Sequence, residues 1–238
     1  MDAQTWLNGQ KAALSFTFDD ARQTQLTNAI PCLNEYDIKA TFYVLQKNVE
    51  RDIAGWQQIV QQGHEIGNHT VTHPCSGNFS HSRHRALEHF SWSQIEDEII
   101  EANRLIEETL GVLPQTFAYP CGNSFVGRGR NRQSYVSLIA QYFKAGRATL
   151  NSGNAKGICD VYHLHAVGID RADPENLKLL IDQARANNDW LIFYAHELGD
   201  DEGRGMATDA LNEVCRYARQ FDDLWIDTVA EIASMAEL

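Results

Sequence analysis

A chain of 238 residues has room for one α/β barrel or two small domains, and at 43% hydrophobic and 22% charged it is globular rather than disordered or fibrous. Its 20 basic and 32 acidic residues leave a net charge of −12, which excludes a generic nucleic-acid or anionic-membrane binder. No apolar run approaches the ~18 residues needed to span a bilayer, and the five cysteines include no CxxC pair, so neither a zinc knuckle nor a redox motif is written here. That odd number leaves at least one thiol free if the others pair within the chain.

The elements alternate strand and helix. Ala13–Phe18 is short, apolar and aromatic and stops at Asp19-Asp20, as a buried strand opening into a loop would. A helical stretch with Leu26, Ile30 and Leu33 on one face follows, interrupted by Pro31, and Lys39–Leu45 reads as the second strand. Ile53, Trp56, Ile59 and Val60 mark another helical face, stopped by Gly63. The clearest helix runs from Ser93 to Leu110: Ser93 with Glu96 suggests a capping box, and Ile95, Ile99, Ala102, Ile106 and Leu110 form one stripe. Thr116–Tyr119 resumes as strand. A helix from about Ser134, a strand near Val161–Gly168, a helix from Pro174 to Ala186 and the strand Trp190–Ala195 come next. A helix near Ala207–Arg219, the strand Leu224–Asp227 and a last helix capped by Thr228 with Glu231 complete the pattern. Such βα alternation without a linker predicts one parallel α/β domain over 1–238, with an irregular insertion at about 75–92.

Four segments carry chemistry. Asp19 and Asp20 stand at a strand's C-terminal end, where parallel α/β folds bind ligands, although an isolated acid pair is usually a solvated turn. His69 and His73 are four residues apart; on a helical turn both imidazoles would face one way and grip a divalent metal. Two histidines with one carboxylate suit a hydrolytic zinc site and also some non-haem iron sites. His64-Glu65 lacks the HExxH spacing and Gly67 follows it, which argues against a zincin helix. In Phe117-Ala-Tyr-Pro-Cys-Gly122, a strand halted by Pro and Gly can offer a backbone N–H to an oxyanion. His196 follows an apolar strand. The basic run Gly127–Arg132 reads as a solvated loop before an anion site, and His81, His84 and His89 as a polar lid before a second metal site.

Taken in order, TFDD, HTVTH, FAYPCG and a strand ending in His, with KATFYV and GHEIGNHTVTH, the chain resembles the NodB-homology polysaccharide deacetylases, carbohydrate esterase family 4. The resemblance runs from about Ala12 to His196 and loosely through Trp225-Ile-Asp-Thr. It implies a distorted (β/α) barrel, seven-stranded, and metal-dependent removal of acetyl groups from an acetylated carbohydrate, N-acetyl ahead of O-acetyl. It implies Asp20, His69 and His73 as metal ligands for Zn²⁺, with Co²⁺ or Ni²⁺ also accommodated, Asp19 as general base and His196 as general acid. Tyr119, Pro120 and Cys121 fall on the oxyanion segment. Cys121 stands where the family usually has Tyr, whose backbone N–H serves the oxyanion, and Tyr194 where Leu usually lines the acetyl pocket.

Two departures stand out. Many members carry in the third motif an Arg that orients the base, and here that position is Ala118. The segment Tyr162–Asp170 resembles a YxLxR motif with His165 in the Arg place, so His165, together with Asp170, is expected to tune a catalytic group. The resemblance leaves open hydrolysis of a small non-sugar amide or cyclic imide, or a catalytically silent sugar-binding domain, against which the full Asp-Asp-His-His-His set speaks. The start of the sequence lacks a signal-peptide pattern, so the expected location is cytoplasmic if the chain is complete, and secreted or periplasmic if a leader was removed. Oligomeric state is not legible in the sequence.

Overall fold

The computed structural model describes residues 6, 9–199 and 205–236. Its strands are β1 (Ala12–Asp19), β2 (Thr41–Val44), β3 (Glu65–Asn68), β4 (Thr116–Ala118), β5 (Phe125–Val126), β6 (Gln133–Ser134), β7 (Ala145–Arg147), β8 (Asn154–Ala155), β9 (Val167–Gly168), β10 (Asp189–Ala195) and β11 (Leu224–Ile226). The helices are α1 (Ile30–Glu35), α2 (Gln46–Val49), α3 (Ile53–Gln61), α4 (Trp92–Leu110), α5 (Val136–Tyr142), α6 (Pro174–Asn187), α7 (Thr208–Ala218) and α8 (Val229–Ala236).

Every residue of β1 and β2 is buried, as expected for parallel strands covered on both faces. Seven strands follow one another in the order β7-β4-β3-β2-β1-β10-β8, with β11 added to β1 and β9 to β10. All these pairings are parallel except that of β8 with β10. The sheet curls. Leu164 N–H donates to Gly146 O and Ala148 N–H to Leu164 O, both at 2.7 Å, so the segment entering β9 links β7 towards β10. The result is the distorted barrel of the NodB type, with the C-terminal ends of β1, β3, β4, β7 and β10 gathered at one mouth. On the helical side of β1, β2 and β10, Phe16, Phe18, Phe42 and Phe193 pack against Trp56, Leu177, Ile181 and Leu211. A second cluster sets α4 and α5 against Phe117 and Tyr119.

Several local expectations shift. The buried stripe of α4 is the one the sequence predicts, but its capping box is Ser91 with Gln94, two residues earlier than Ser93 with Glu96. Ser91 has the extended backbone an N-cap needs, and Gln94 reaches back to its N–H at 2.8 Å. Around Pro31 the helix is not merely interrupted. Gln25–Ala29 forms a π turn that leads directly into α1, with Pro31 as the second residue of α1. The stretch near Val161–Gly168 is a 3₁₀ turn, Val161–His163, followed by the two-residue β9. β3 and β7 are short strands that no sequence period marks.

Candidate active site

The turn after β1 is fixed from three directions. Asp20 and Ala21 take left-handed backbones, φ 77° and 55°. Asp20 N–H donates to Tyr43 O at 2.9 Å, and Asn48 Nδ2 donates to Asp20 O at 2.7 Å, tying the turn to β2 and α2. Gln25 Nε2 donates to Asp19 O at 2.6 Å and to His196 O at 2.8 Å, so the π turn clamps together the ends of β1 and β10. This is the kind of functional placement π turns often have.

His69 and His73 do meet, but not on a helix. The segment after β3 is a loop with left-handed Thr70 (φ 64°) and His73 (φ 55°). Its amides are satisfied by side chains: Asn68 Oδ1 accepts from Thr70 N–H at 2.7 Å, and Thr70 Oγ1 from His73 N–H at 3.0 Å. Glu98 of α4 accepts from Val71 N–H at 3.1 Å and Thr72 N–H at 2.8 Å. The sequence spacing therefore works through a strand-end loop, not through the helical face it suggests.

The residues fit a divalent metal. Asp20 Oδ1 is buried with no hydrogen-bond partner and lies 3.9 Å from both His69 Nε2 and His73 Nε2. Two metal–ligand bonds of ~2.1 Å each can span that separation. His69 Nδ1–H faces Ala118 O at 2.8 Å, which leaves Nε2 as the donor atom, the usual way an outer partner fixes a ligating imidazole. Burial first, then the neighbouring His69, push His73 down to about 4, and burial likewise lowers His69, so both are neutral bases available for ligation. Among the described residues one further metal-compatible group combines His73 with Cys75 and Cys121, but those two sulfurs form a disulfide and are not thiolate donors.

The surroundings of Asp19 and His196 shift them in opposite directions. Burial alone would raise the Asp19 carboxyl, but Arg147, helped by His69 and His196, outweighs it and holds the group below the ordinary carboxylate range. Arg147, on β7 and 1% exposed, donates from Nη2 to Asp19 Oδ1. Its guanidinium lies 5.0 Å from the Tyr43 ring centroid and 5.1 Å from that of Tyr194. Tyr43 reaches it because β3 carries Gly67: a Cβ there would come within 2.4 Å of the Tyr43 ring. His196 is the reverse case. Burial opposes its charge, but Asp170, with Asp19 and Asp20 behind it, lifts it to about 9. Asp170 accepts from His196 Nδ1 at 2.6 Å and from its backbone N–H at 3.1 Å.

The remaining expected residues separate. Cys121 lines the cleft and has a left-handed backbone, φ 53° and ψ 21°. It is also disulfide-bonded to Cys75, so its side chain ties the FAYPCG turn to the loop after His73, a link the sequence does not announce. Cys32, Cys159 and Cys215 are free. Pro120 is buried at the start of that turn. Tyr119 departs from the pocket assignment: its ring is 1% exposed in the core against Phe117 and Tyr135, and its hydroxyl donates to Tyr162 O at 2.7 Å. Tyr194 sits over Arg147, not among the residues lining the cleft. The His165 expectation is corrected. His165 faces Ser152 Oγ at 2.6 Å and lines a separate depression with Asn154 and Asp160, because its backbone is held by Asn154 beside β8. Of the expected tuning pair, only Asp170 reaches the site.

Arg147 is the residue sequence reasoning missed. A usable signal exists: with Ala118 in the third motif, a buried Asp19 still needs a counterion, and Arg147 lies in the small apolar run Ala145-Gly-Arg-Ala148.

Residues 7–135 match the family model described as polysaccharide deacetylase, which is more than half of the chain, and the chain belongs to that family. It is 30% identical over 117 residues to the uncharacterized protein YlxY of Bacillus subtilis (strain 168), covering 49% of this chain and 33% of that protein. It is 26% identical over 182 residues to a peptidoglycan-N-acetylglucosamine deacetylase of Bacillus cereus, covering 71% of this chain and 79% of the relative. The chain thus spans only a third of the first relative's length. Its fold is similar to the crystal structure of a putative polysaccharide deacetylase from Mycobacterium smegmatis, with TM-score 0.69, 15% identity, and 99% and 93% of the two chains covered.

Proposed function

We propose that the protein is a metal-dependent hydrolase that removes acetyl groups from a carbohydrate, N-acetyl ahead of O-acetyl. The observation that carries this reading is the buried, unpartnered Asp20 Oδ1 facing two neutral imidazoles, beside an ionised Asp19 and a protonatable His196. Zinc suits the Asp-His-His set, and cobalt or nickel would substitute. When bound, a divalent cation acidifies water and polarises a carbonyl.

The chain's own residues supply the rest. Asp19, kept ionised by Arg147, takes a proton from the water that attacks the acyl carbon. Cys121 N–H is assigned to the developing oxyanion, a role worth roughly 3–4 kcal/mol for a well-placed donor. His196, kept protonated by Asp170, delivers its proton to the departing nitrogen as the C–N bond breaks, giving acetate and an amine. That proton matters more for an amine leaving group than for an alkoxide, which favours N-acetyl.

The test is acetate release by the purified protein, supplied with Zn²⁺ or Co²⁺, from N-acetylglucosamine oligomers, peptidoglycan fragments, acetylated xylan and cyclic imides. Metal-dependent release from an acetylated sugar is expected. Turnover of the imides alone would replace the reading with amide-ring hydrolysis, and no turnover with metal bound would leave a silent sugar-binding domain.

A further inference from the structure

The cleft at the site encloses about 650 Å³, and its charge runs against that of the chain. Arg22, Lys47, Arg51 and Arg85 line it, while Asp20 is the only acid among the described residues that line it, in a chain with 20 basic and 32 acidic residues. Two of these cations are already engaged. Arg22 pairs with Asp20 at 2.8 Å and approaches Glu197 at 3.5 Å, and Arg85 pairs with Glu98 at 3.0 Å. Lys47 and Arg51 are exposed and have no acidic partner among the described residues. His81 and His84, exposed on the 3₁₀ turn Ser80–Arg85, line the same cleft.

Both walls are tied to the site. On one side, Asn48 lies between Lys47 and Arg51 and bonds the Asp20 carbonyl. On the other, Cys75 N–H donates to Ser82 Oγ at 2.9 Å, Ser82 Oγ donates to Cys75 O at 3.0 Å, and Cys75 is disulfide-bonded to Cys121. Unpaired like charges facing one concave space repel one another and concentrate anions there. A neutral sugar would leave them uncompensated.

We infer that the cleft takes an acylated sugar that itself carries a negative charge, a carboxylate or a phosphate, seated between Lys47–Arg51 and the Ser80–Arg85 turn. This rests on the deacetylase reading and names the substrate class of the same site. Lys47 and Arg51 bind the charge and take no part in the acyl chemistry.

The test compares the neutral disaccharide of N-acetylglucosamine, a disaccharide containing N-acetylmuramic acid, and N-acetylglucosamine 6-phosphate. Each is measured by KM and kcat for acetate release and by calorimetric binding. The proteins are the wild type, the Lys47→Gln/Arg51→Gln double variant, and an Arg128→Gln/Arg130→Gln control that removes the same charge outside the cleft. The wild type should favour at least one charged compound, and the double variant should raise its KM and weaken its binding by about tenfold, with kcat and the neutral compound unchanged. The control should change nothing. The arm that responds, carboxylate or phosphate, identifies the anion. Equal treatment of charged and neutral compounds by the wild type, or an equal effect of both double variants, overturns the inference. If no compound releases acetate, the deacetylase reading fails and calorimetry alone decides. Anion-selective binding lost in the double variant keeps the charge site, and unselective binding removes it.

Discussion

Replacing Arg147 with Met keeps most of the side-chain volume and removes the charge that faces Asp19. The two side chains are 1% and 5% exposed, so the carboxylate left behind has almost no access to water. Breaking a buried pair by deleting one partner costs about 3–5 kcal/mol, the expected loss of folding stability. Burial is the largest influence on Asp19 and raises it; without the guanidinium only His69 and His196 oppose that, so its pKa moves up from the depressed value. The acidic limb of the pH–rate profile should then move upward, and kcat near neutral pH should fall by roughly 10²–10⁴, the usual worth of a positioned base. The linkage has a definite sign. A carboxyl whose folded pKa is depressed contributes stability above its ordinary pKa, and that contribution is lost as pH falls through the folded value; Arg147→Met should abolish this acid-side dependence. Guanidinium unfolding from pH 7 down to about pH 2, through and below the ordinary Asp pKa of about 3.9, reads the stability, and kcat/KM against pH reads the base. The double variant Arg147→Met/Asp19→Asn should recover most of the stability and none of the activity. A single variant that unfolds at the wild-type midpoint and keeps its acidic limb would refute the reasoning.

Asp170→Asn keeps an acceptor for His196 but removes the charge that helps lift it to about 9. Because the acid must be protonated to work, the alkaline limb of kcat should move down from near that value; an unmoved limb counts against Asp170 as the partner. Cys75→Ser opens a disulfide that spans 46 residues. By loop-entropy arithmetic it should cost about 4 kcal/mol at most, and denaturant midpoints that match the wild type would contradict this. Gly67→Ala would drive a Cβ within 2.4 Å of the Tyr43 ring. Overpacking of this kind costs about 1–3 kcal/mol, and an unchanged melting temperature would show that the ring moves freely.

The strands that carry Asp19 and His196 were legible because they are long, apolar and end abruptly in polar residues. The HTVTH spacing pointed to the two histidines that meet Asp20 but suggested the wrong backbone, since the loop owes its shape to Asn68 and to Glu98, thirty residues away on α4. β7 escaped notice because three residues cannot display a period, and Arg147 went with it. The separation of Asp170 from His165 follows from β9: its pairing with β10 brings Asp170 to His196, while Asn154 holds His165 apart. Such long-range placements depend on sheet closure, which no local pattern encodes.

The most direct test of the central claim is a zinc titration of metal-stripped protein, following bound metal and acetate release from N-acetylglucosamine oligomers in the same samples. Activity should rise in step with binding and saturate together at a single equivalent, and both should be lost in Asp20→Asn and His69→Gln variants that remain folded. Acetate release that ignores bound metal, or tight metal binding that survives both substitutions, would contradict the account.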